Sequence, residues 1–328
     1  MLQNDEESPK IEMRQRGTPH QFVPLTMARA VLRVTPRIRA AGGVVVLDLE
    51  DSVQDPFDDG ATNELKDTAR AALLDLGSRS PAVFSDALTS VRINEAGTSH
   101  HDADLAALAV VCKQVPLDSI WLPKVESADA IKRLLASLPE RTCVRPIIET
   151  RAGVDQLPRI LENATSRVRA VVFGHIDLSL DTGAWPFPGA DDARLWDAAG
   201  AIIDLVEGSG RTYIHTAVTE IENDDLFSRV QATLANRCRS PFGQTTLSLR
   251  QTRLAANPAV GPELVPRAIP SQNEEERRES ARQVIELFEA SRCRRRSFAL
   301  DAASGRFLPP HEYRAALRIL SGERRKPS

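Results

Sequence analysis

The stretch Val44-Val45-Val46-Leu47-Asp48-Leu49-Glu50-Asp51-Ser52-Val53 joins an apolar run of strand length to three acidic residues. A continuous apolar run is typical of a buried parallel strand, and in an α/β barrel the carboxyl end of such a strand is where active sites form. Because Asp48, Glu50 and Asp51 repel one another, we expect a cation or an arginine nearby. A helix N-cap followed by a solvated acidic turn is the alternative for this segment alone.

The same pattern recurs along the chain and predicts an α/β fold, a TIM (β/α)8 barrel. Strand-like runs that end in polar residues alternate with helix-like segments such as Ala61–Leu76 and Asp191–Glu207. The predicted strands are Gln21–Pro24, Val44–Asp48, Ser90–Asn94, Ser119–Lys124, Cys143–Glu149, Arg169–Asp177, Arg211–Thr216 and a segment near Gly243–Leu249. Eight strands within about 240 residues match one barrel. A doubly wound sheet is the alternative, although no glycine-rich fingerprint follows the first strand.

The ends of the chain differ in composition from the predicted barrel, which spans residues 18–256. Residues 1–17 are polar and charged, so we expect a disordered N-terminal arm rather than a signal peptide. Residues 257–328 begin with a proline-rich linker and contain two predicted helices, Glu274–Ala290 and His311–Leu320. We expect this C-terminal helical extension to pack over the barrel mouth or onto a neighbouring subunit.

Composition excludes several classes of protein. The net charge is −3 with both signs interspersed, which gives no indication of a nucleic-acid partner. No apolar run approaches the about 18 residues of a membrane span. The four cysteines are scattered without a C-x-x-C pair, so we expect a reducing, cytoplasmic location and neither a disulfide framework nor a zinc site.

Charged residues also follow other predicted strands. Glu149 ends the fifth strand and Asp177 the sixth, so two carboxylates from neighbouring strands can converge and bind Mg²⁺. Alternatively, both acids cap the helices that follow. Arg92 ends the third strand, and its planar guanidinium suits either a substrate carboxylate or an ion pair with Glu50 or Asp51.

A lysine and two histidines complete the set of candidates. Lys124 ends the fourth strand and can act as a Schiff-base amine or as a charge-balancing cation. His215 ends the seventh strand, and His175 lies two residues before Asp177. A histidine at a barrel mouth has a pKa near the working pH and can serve as an acid or a base. A hydrogen-bonded structural histidine is the alternative for each.

Six motifs in one order resemble the citrate lyase β-subunit (CitE-like) and malyl-CoA lyase group of the HpcH/HpaI aldolase superfamily. They are Leu47–Val53, Lys66–Arg70, Val91–Asn94, Leu122–Ser127, Ile148–Thr150 and Phe173–Ser179. The resemblance implies a TIM barrel with a C-terminal helical extension that assembles as a homotrimer or a hexamer. It also implies Mg²⁺-dependent carbon–carbon lyase or aldolase activity, by retro-aldol or retro-Claisen chemistry. The substrate would be a small hydroxy-dicarboxylic or keto acid, free or as a CoA or carrier-protein thioester.

The resemblance also implies roles for individual residues. Glu149 and Asp177 would bind the metal, and Arg92 would bind the keto-acid product or its enolate. Glu50 and Asp51 would hold metal-bound waters or orient Arg92. The predicted catalytic residues are Arg92, Glu50, Asp51 and His215. The predicted substrate contacts are Arg92, Lys124, Gly174 and His175.

The second half of the chain departs from the family pattern. Gly243–Gln251 keeps only the glycine and the final glutamine of Gly-Lys-x-x-Ile-His-Pro-x-Gln, which puts a thioester-binding role of this loop in doubt. In Gly305–Pro310, Pro309 occupies the position of an aspartate that reaches a neighbouring active site in the acyl-CoA lyases. Proline cannot move a proton, and Asp301 or Glu312 could replace that aspartate. These changes motivate an alternative function, a non-catalytic barrel that binds Mg²⁺ and a keto acid.

Overall fold

Eight parallel strands close into a barrel in the computed structural model of the chain. The structure describes residues 17–26, 28–87, 89–258, 261–290, 297–301 and 303–322. The strands are β1 Thr18–Pro24, β2 Val44–Asp48, β3 Thr89–Arg92, β4 Ser119–Leu122, β5 Cys143–Ile148, β6 Ala170–Phe173, β7 Thr212–His215 and β8 Gly243–Thr246. Each strand pairs with its neighbour in sequence, and β8 pairs with β1. The predicted TIM barrel is confirmed, while the predicted arm at residues 1–17 falls, except for Gly17, outside the described residues.

Helices follow the strands and form the outer layer of the barrel. They are α1 Ala28–Ala40, α2 Asp59–Arg79, α3 Ser99–Gln114, α4 Ala128–Ala136, α5 Arg151–Asn163, α6 His175–Thr182, α7 Ala193–Gly208, α8 Asp224–Arg237 and α9 Leu249–Ala256. A 3-10 helix, Pro81–Ala87, precedes β3. Several begin at a residue whose side-chain oxygen accepts a backbone hydrogen bond, as Thr150 does from Gly153 at 3.0 Å. Among the described residues, no helix is both long enough and apolar enough to span a bilayer.

One strand boundary differs from the sequence prediction. The sequence pattern extends the sixth strand to Asp177, but β6 ends at Phe173 and α6 begins at His175. Asp177 therefore lies in the first turn of a helix, where a carboxylate is stabilised by the helix dipole. Its side chain still faces the barrel mouth, because the helix starts directly at the end of the strand.

The alternation of the strands decides which side chains reach the mouth. Val46 and Ile147 belong to the apolar cluster inside the barrel, whereas Leu47 packs in the outer core beneath the helices. Side chains two residues apart share a face of a strand. Asp48 and Glu149 follow Val46 and Ile147 by two residues, so both point into the carboxyl end of the barrel.

The C-terminal extension lies over the mouth of its own barrel. It consists of α10 Glu274–Ala290, a hairpin of β9 Ala299–Asp301 and β10 Arg306–Leu308, and α11 Pro310–Ser321. Ala281 and Ala316 join α10 and α11 in one apolar cluster with Trp185, which follows α6. The hydroxyl of Ser297 donates to the backbone oxygen of Ser52 at 2.6 Å. These contacts make the extension one wall of the cavity at the mouth.

Candidate active site

A cavity of about 240 Å³ lies between the carboxyl ends of the strands and the extension. Among the described residues, its charged lining residues are Asp48, Asp51, Arg92, Glu149, Asp177 and His311. Apolar residues from both the barrel and the extension complete the wall. The cavity therefore joins the acidic strand ends found in the sequence to a segment more than a hundred residues away in the chain.

Arg92 is held by three carboxylates. Its Nε and Nη2 donate to the two carboxylate oxygens of Asp48 at 2.7 and 2.6 Å. Its Nη1 lies 2.8 Å from Glu50 Oε2 and 3.0 Å from Asp51 Oδ2. Burial acts to lower the pKa of Arg92, but these carboxylates raise it well above its ordinary value. The edge of the guanidinium formed by Nε and Nη2 is thus occupied by Asp48. The geometry therefore matches an ion pair of Arg92 and does not match bidentate binding of a substrate carboxylate on that edge.

Glu149 is fixed by backbone on two sides. Its Oε1 accepts a hydrogen bond from the backbone N–H of Lys124 at 2.9 Å. A Cβ on Gly174 would come within 2.4 Å of Glu149 Oε2, so only glycine lets the carboxylate lie there. Burial, and then the negative charge of Asp177, raise the pKa of Glu149 to about 8. Gly174 lines the cavity and makes room for this carboxylate.

Lys124 lies beside the cavity as a charged group. Its Nζ is 3.2 Å from Glu95 Oε2 and 3.7 Å from Asp177 Oδ1. Burial acts to lower the pKa of Lys124, but the charges of Asp177 and Glu50 raise it above its ordinary value. Since a Schiff base needs a neutral amine, the geometry favours the charge-balancing interpretation. The left-handed backbone of Lys124, with φ of 49°, turns its N–H toward Glu149.

His311 is a site residue that sequence reasoning missed. It lies in the first turn of α11 and is 3% exposed. Its Nε2 is 3.3 Å from Asp51 Oδ1 and 3.2 Å from Asp177 Oδ1. Burial acts to lower the pKa of His311, but the charges of Asp177 and Asp51 raise it to about 10. A cation in the first turn of a helix opposes the helix dipole, so the two carboxylates account for the raised pKa, and no signal in the sequence indicates these partners.

The two acids that were expected to replace the missing aspartate are engaged elsewhere. Glu312 is buried and pairs with Arg306 at 2.9 Å. Asp301 lies in the hairpin, where it accepts a hydrogen bond from the backbone N–H of Ala303 at 3.0 Å. Neither lines the cavity. His311, two residues after Pro309, is the group of the extension that reaches the carboxylates.

The structure places His215 and His175 outside the cavity lining, which corrects the roles expected for them. The ring of His215 stacks on Trp196 of α7 with centroids 5.2 Å apart, and its Nδ1 is 2.8 Å from the hydroxyl of Tyr213. Ile214 takes the inward position of this strand, so alternation directs His215 outward. Burial lowers the pKa of His215 to about 3 and, with Arg306, that of His175 to about 4.

His175 keeps an indirect connection to the cavity. Its Nδ1 is 2.6 Å from the hydroxyl of Thr216, and Thr216 lines the cavity at the end of β7. The ring is buried, and its lowered pKa keeps it neutral near pH 7. His175 therefore holds Thr216 and the start of α6 in place, which matches the alternative of a hydrogen-bonded structural histidine.

The carboxylates at the mouth fit a divalent cation. One oxygen of Asp51, one of Asp177 and the Nε2 of His311 all lie within 4.8 Å of one another. Glu149 and Asp177 add the pair predicted from the sequence, and a cation there would offset the burial and the charge of Asp177 that raise the pKa of Glu149. Mg²⁺ prefers oxygen ligands from one or two carboxylates together with water. Asp177 is common to both groups, and since a protonated His311 cannot bind a metal, the carboxylates of Glu149 and Asp177 are the set that fits Mg²⁺.

Comparison with known proteins agrees with this architecture. The family model described as HpcH/HpaI aldolase/citrate lyase matches residues 22–237, while no curated protein sequence matches. The citrate lyase β subunit of M. tuberculosis complexed with oxaloacetate and magnesium is 23% identical with a TM-score of 0.55, and the match covers 75% of this chain and 99% of that one. RipC from Yersinia pestis is 21% identical with a TM-score of 0.54, over 74% of this chain and 96% of that one.

One further match includes the C-terminal extension. CitE from Mycobacterium tuberculosis in complex with magnesium, acetoacetate and coenzyme A is 23% identical with a TM-score of 0.56. That match covers 95% of this chain and 100% of the other, whereas the matches above cover about three quarters of this chain. The barrel and its extension thus have a counterpart in a known fold. With a family model that spans well over half of its residues, the chain belongs to the HpcH/HpaI aldolase/citrate lyase family.

Proposed function

We propose that the protein is a Mg²⁺-dependent carbon–carbon lyase that cleaves or forms a bond next to a 2-keto acid. The observation that carries this proposal is the meeting of Glu149, Asp177 and the guanidinium of Arg92 in one cavity at the barrel mouth. Membership of the HpcH/HpaI aldolase/citrate lyase family supports the reaction class. The M. tuberculosis CitE structures with magnesium and oxaloacetate or pyruvate support the type of ligand.

The chain supplies the charges that such a reaction requires. In the cleavage direction, the substrate hydroxyl loses a proton to a carboxylate of the cavity, the carbon–carbon bond breaks, and the electron pair becomes the enolate of the keto acid, which then takes up a proton. Glu149 and Asp177 would hold Mg²⁺, which would supply a Lewis acid for the keto-acid oxygens. Arg92, itself held by Asp48, places a fixed positive charge at the cavity wall where negative charge develops.

We propose that His311 supplies the proton that the enolate takes up, because its raised pKa keeps the ring protonated near pH 7. Pro309 carries no titratable group, whereas the Nε2 of His311 faces the cavity between Asp51 and Asp177. The presence of a buried histidine at this point favours an enzyme over the alternative of a non-catalytic barrel. Turnover of any hydroxy acid that disappears in a Glu149→Ala variant would eliminate that alternative.

The contacts of the second half of the barrel favour a free acid over a thioester. Gln244, at the position of the family lysine, donates to the backbone oxygen of Thr216 at 2.7 Å and accepts from Gln231 at 2.8 Å. Ser248 caps α9 by accepting from the backbone of Gln251 at 3.2 Å. Both side chains serve the fold and do not line the cavity. The thioester form, the homotrimer or hexamer and the cytoplasmic location stay predictions.

The test is a calorimetric titration with pyruvate, glyoxylate and oxaloacetate, each with and without Mg²⁺. It is combined with proton NMR of pyruvate in D2O, since formation of the enolate exchanges the methyl protons for deuterium. We expect metal-dependent binding of one keto acid and metal-dependent exchange, both lost in Glu149→Ala. Binding without exchange or turnover would indicate the non-catalytic barrel. Failure of all three acids to bind would overturn the proposed function.

A further inference from the structure

The amine of Lys66, on α2, lies directly behind the acidic turn that follows β2. Its Nζ donates to the backbone oxygens of Leu49 and Glu50, each at 2.9 Å, and to Asn94 Oδ1 at 2.6 Å. All three partners are acceptors, so they match the three hydrogens of an ammonium group, whereas a neutral amine has only two. The residue is 6% exposed. A buried cation therefore fixes two consecutive carbonyl groups of the turn.

The same turn faces Asp48 with its N–H groups. The backbone N–H of Glu50 donates to Asp48 Oδ1 at 3.0 Å, and that of Ser52 donates to Asp48 Oδ2 at 3.2 Å. The peptide group between Leu49 and Glu50 thus has its oxygen on Lys66 and its N–H on Asp48. Hydrogen bonds in such a chain polarise one another in the low dielectric of a protein interior. A single peptide group therefore links Lys66 to the carboxylate of Asp48.

A second buried contact joins the turn to the end of β3. Asn94 follows Arg92 by two residues, and its Nδ2 donates to the backbone oxygen of Leu49 at 3.0 Å. The Oδ1 of the same side chain accepts from Lys66. The ends of β2 and β3 are thereby tied together behind the ion pair of Asp48 and Arg92.

Arg70 lies one turn further along α2 and contacts the far end of this network. Its Nη1 is 3.1 Å from Asp104 Oδ1, and its Nη2 is 2.6 Å from Asp67 Oδ1. Asp104 also accepts from the backbone N–H of Asn94 at 2.8 Å. Lys66 and Arg70 are both buried and share one face of the helix, because they are four residues apart. The ammonium of Lys66 thus reaches the acidic turn, while the guanidinium of Arg70 reaches aspartates of α2 and α3.

We infer that Lys66 is a positioning residue that holds the turn after β2 so that its carboxylates meet Arg92 at the cavity wall. These carboxylates are Asp48, Glu50 and Asp51. The inference rests on the proposed function for its kinetic consequence, since Arg92 would then place its positive charge beside the developing enolate. A displacement of about 1 Å at a reacting group can lower a rate about 100-fold.

The kinetic experiment compares Lys66→Met with Arg70→Met at a temperature at which both variants are folded. Methionine keeps the length of lysine but leaves the two carbonyls of the turn without their donor. We expect the rate of pyruvate methyl exchange, at saturating pyruvate and Mg²⁺, to fall at least about 30-fold in Lys66→Met. The affinity for Mg²⁺ should stay within about threefold, because Glu149 follows β5 and Asp177 lies in α6.

Arg70→Met is the matched control, because it removes a buried cation from the same face of α2. We expect it to lower the melting temperature about as much as Lys66→Met, since each leaves buried acceptors unpaired. The rate of pyruvate exchange in Arg70→Met should nevertheless stay within about threefold of the wild type. A purely structural role of Lys66 would give the two variants the same rate.

A second measurement follows the contacts of Arg92 without any turnover. The Nε–H of Arg92 donates to Asp48 Oδ1 at 2.7 Å, so its ¹H–¹⁵N signal should exchange slowly with water. Loss of this signal in Arg92→Lys assigns it. In Lys66→Met we expect the signal to shift and its hydrogen to exchange with water at least about tenfold faster. In Arg70→Met both should stay as in the wild type.

The outcomes separate this inference from the proposed function. If Lys66→Met keeps the wild-type rate of pyruvate exchange, or if Arg70→Met loses as much, the inference is overturned and the proposed function stands. If the wild type shows neither keto-acid binding nor pyruvate exchange, the proposed function fails. The Arg92 signal then decides alone, and an unchanged signal in Lys66→Met overturns the inference. Lys66→Gln, which keeps an amide donor, replaces Lys66→Met if the latter does not fold.

Discussion

The two sides of the barrel mouth are built on different principles. The side formed by the ends of β2, β3 and β5 and the first turn of α6, which we call the ionic side, carries Asp48, Asp51, Arg92, Glu149 and Asp177. On the side formed by the ends of β7 and β8 and the hairpin, which we call the neutral side, the described lining residues are threonines and apolar side chains. The sequence follows the family motifs on the ionic side and departs from them on the neutral side.

This difference follows from the energetics of burial. On the ionic side Arg92 is the counter-ion of Asp48, Glu50 and Asp51, so its removal leaves three partners buried and unpaired. On the neutral side each side chain contributes its own apolar area, at about 25 cal/mol per Å². Residues of the neutral side can therefore change one at a time, while the paired charges around Arg92 cannot.

The largest effect should follow the loss of the central cation of the ionic side. Arg92→Met leaves Asp48, Glu50 and Asp51 without their shared partner, and we expect the free energy of unfolding to fall by about 3–5 kcal/mol. Urea denaturation measures this change. Arg282→Met is the control, because its pair with Glu279 is half-exposed and should contribute less than about 1 kcal/mol. Similar losses in both variants would show that the ionic side is not a coupled network.

Metal binding should depend on the ionic side alone. Asp177→Asn removes a predicted ligand, and we expect the affinity for Mg²⁺ to fall by at least about 100-fold while the circular dichroism spectrum stays native. Calorimetry with Mg²⁺ measures the change. Thr245→Val, on the neutral side, should leave the affinity within about twofold. Unchanged affinity in Asp177→Asn would remove Asp177 from the ligand set.

Removal of the charge of Glu149 should increase the stability of the metal-free protein. Its pKa is raised from 4.5 to about 8 in the fold, so the folded state without metal loses stability as the pH rises from about 4.5 to about 8. Glu149→Gln keeps an oxygen for the N–H of Lys124 but no charge. We expect the metal-free variant to be more stable than the wild type by roughly 1–2 kcal/mol at pH 8 and equally stable near pH 4.

Denaturation at several pH values without and with Mg²⁺ tests this expectation. Added Mg²⁺ should stabilise the wild type and not Glu149→Gln, because the ion stabilises only the state that binds it. A variant that is less stable than the wild type at pH 8 in the absence of metal would show that burial and the charge of Asp177 do not disfavour the ionised form of Glu149.

The smallest effect on catalysis should follow substitution of His215, which lies on neither the ionic nor the neutral side of the mouth. His215→Phe keeps the stacking on Trp196 but removes the partner of the Tyr213 hydroxyl. We expect pyruvate exchange to stay within about twofold of the wild type, with a loss of stability on the order of 1 kcal/mol. His311→Phe is the comparison, since it should abolish exchange. Loss of exchange in His215→Phe would restore it as a candidate for the site.

Local sequence patterns are enough to specify the fold and most of the ionic side. Apolar runs that end in polar residues predict the strands of a parallel barrel, and the carboxyl ends of such strands meet at one mouth. The amino-acid sequence alone therefore places Glu149, Asp177 and Arg92 together. Arg92 and Glu149 depend only on local strand length and on the closed order of the strands, whereas Asp177 reaches the mouth from the first turn of α6.

Long-range packing selects the histidine that reaches the cavity. The strand that ends in His215 is covered on both faces, so its apolar pattern does not show which face points inward. Only the closed barrel directs Ile214 inward and His215 toward α7. His311 reaches Asp51 and Asp177 through the packing of α11 over the mouth. That contact joins distant parts of the chain, and no local pattern of residues specifies it.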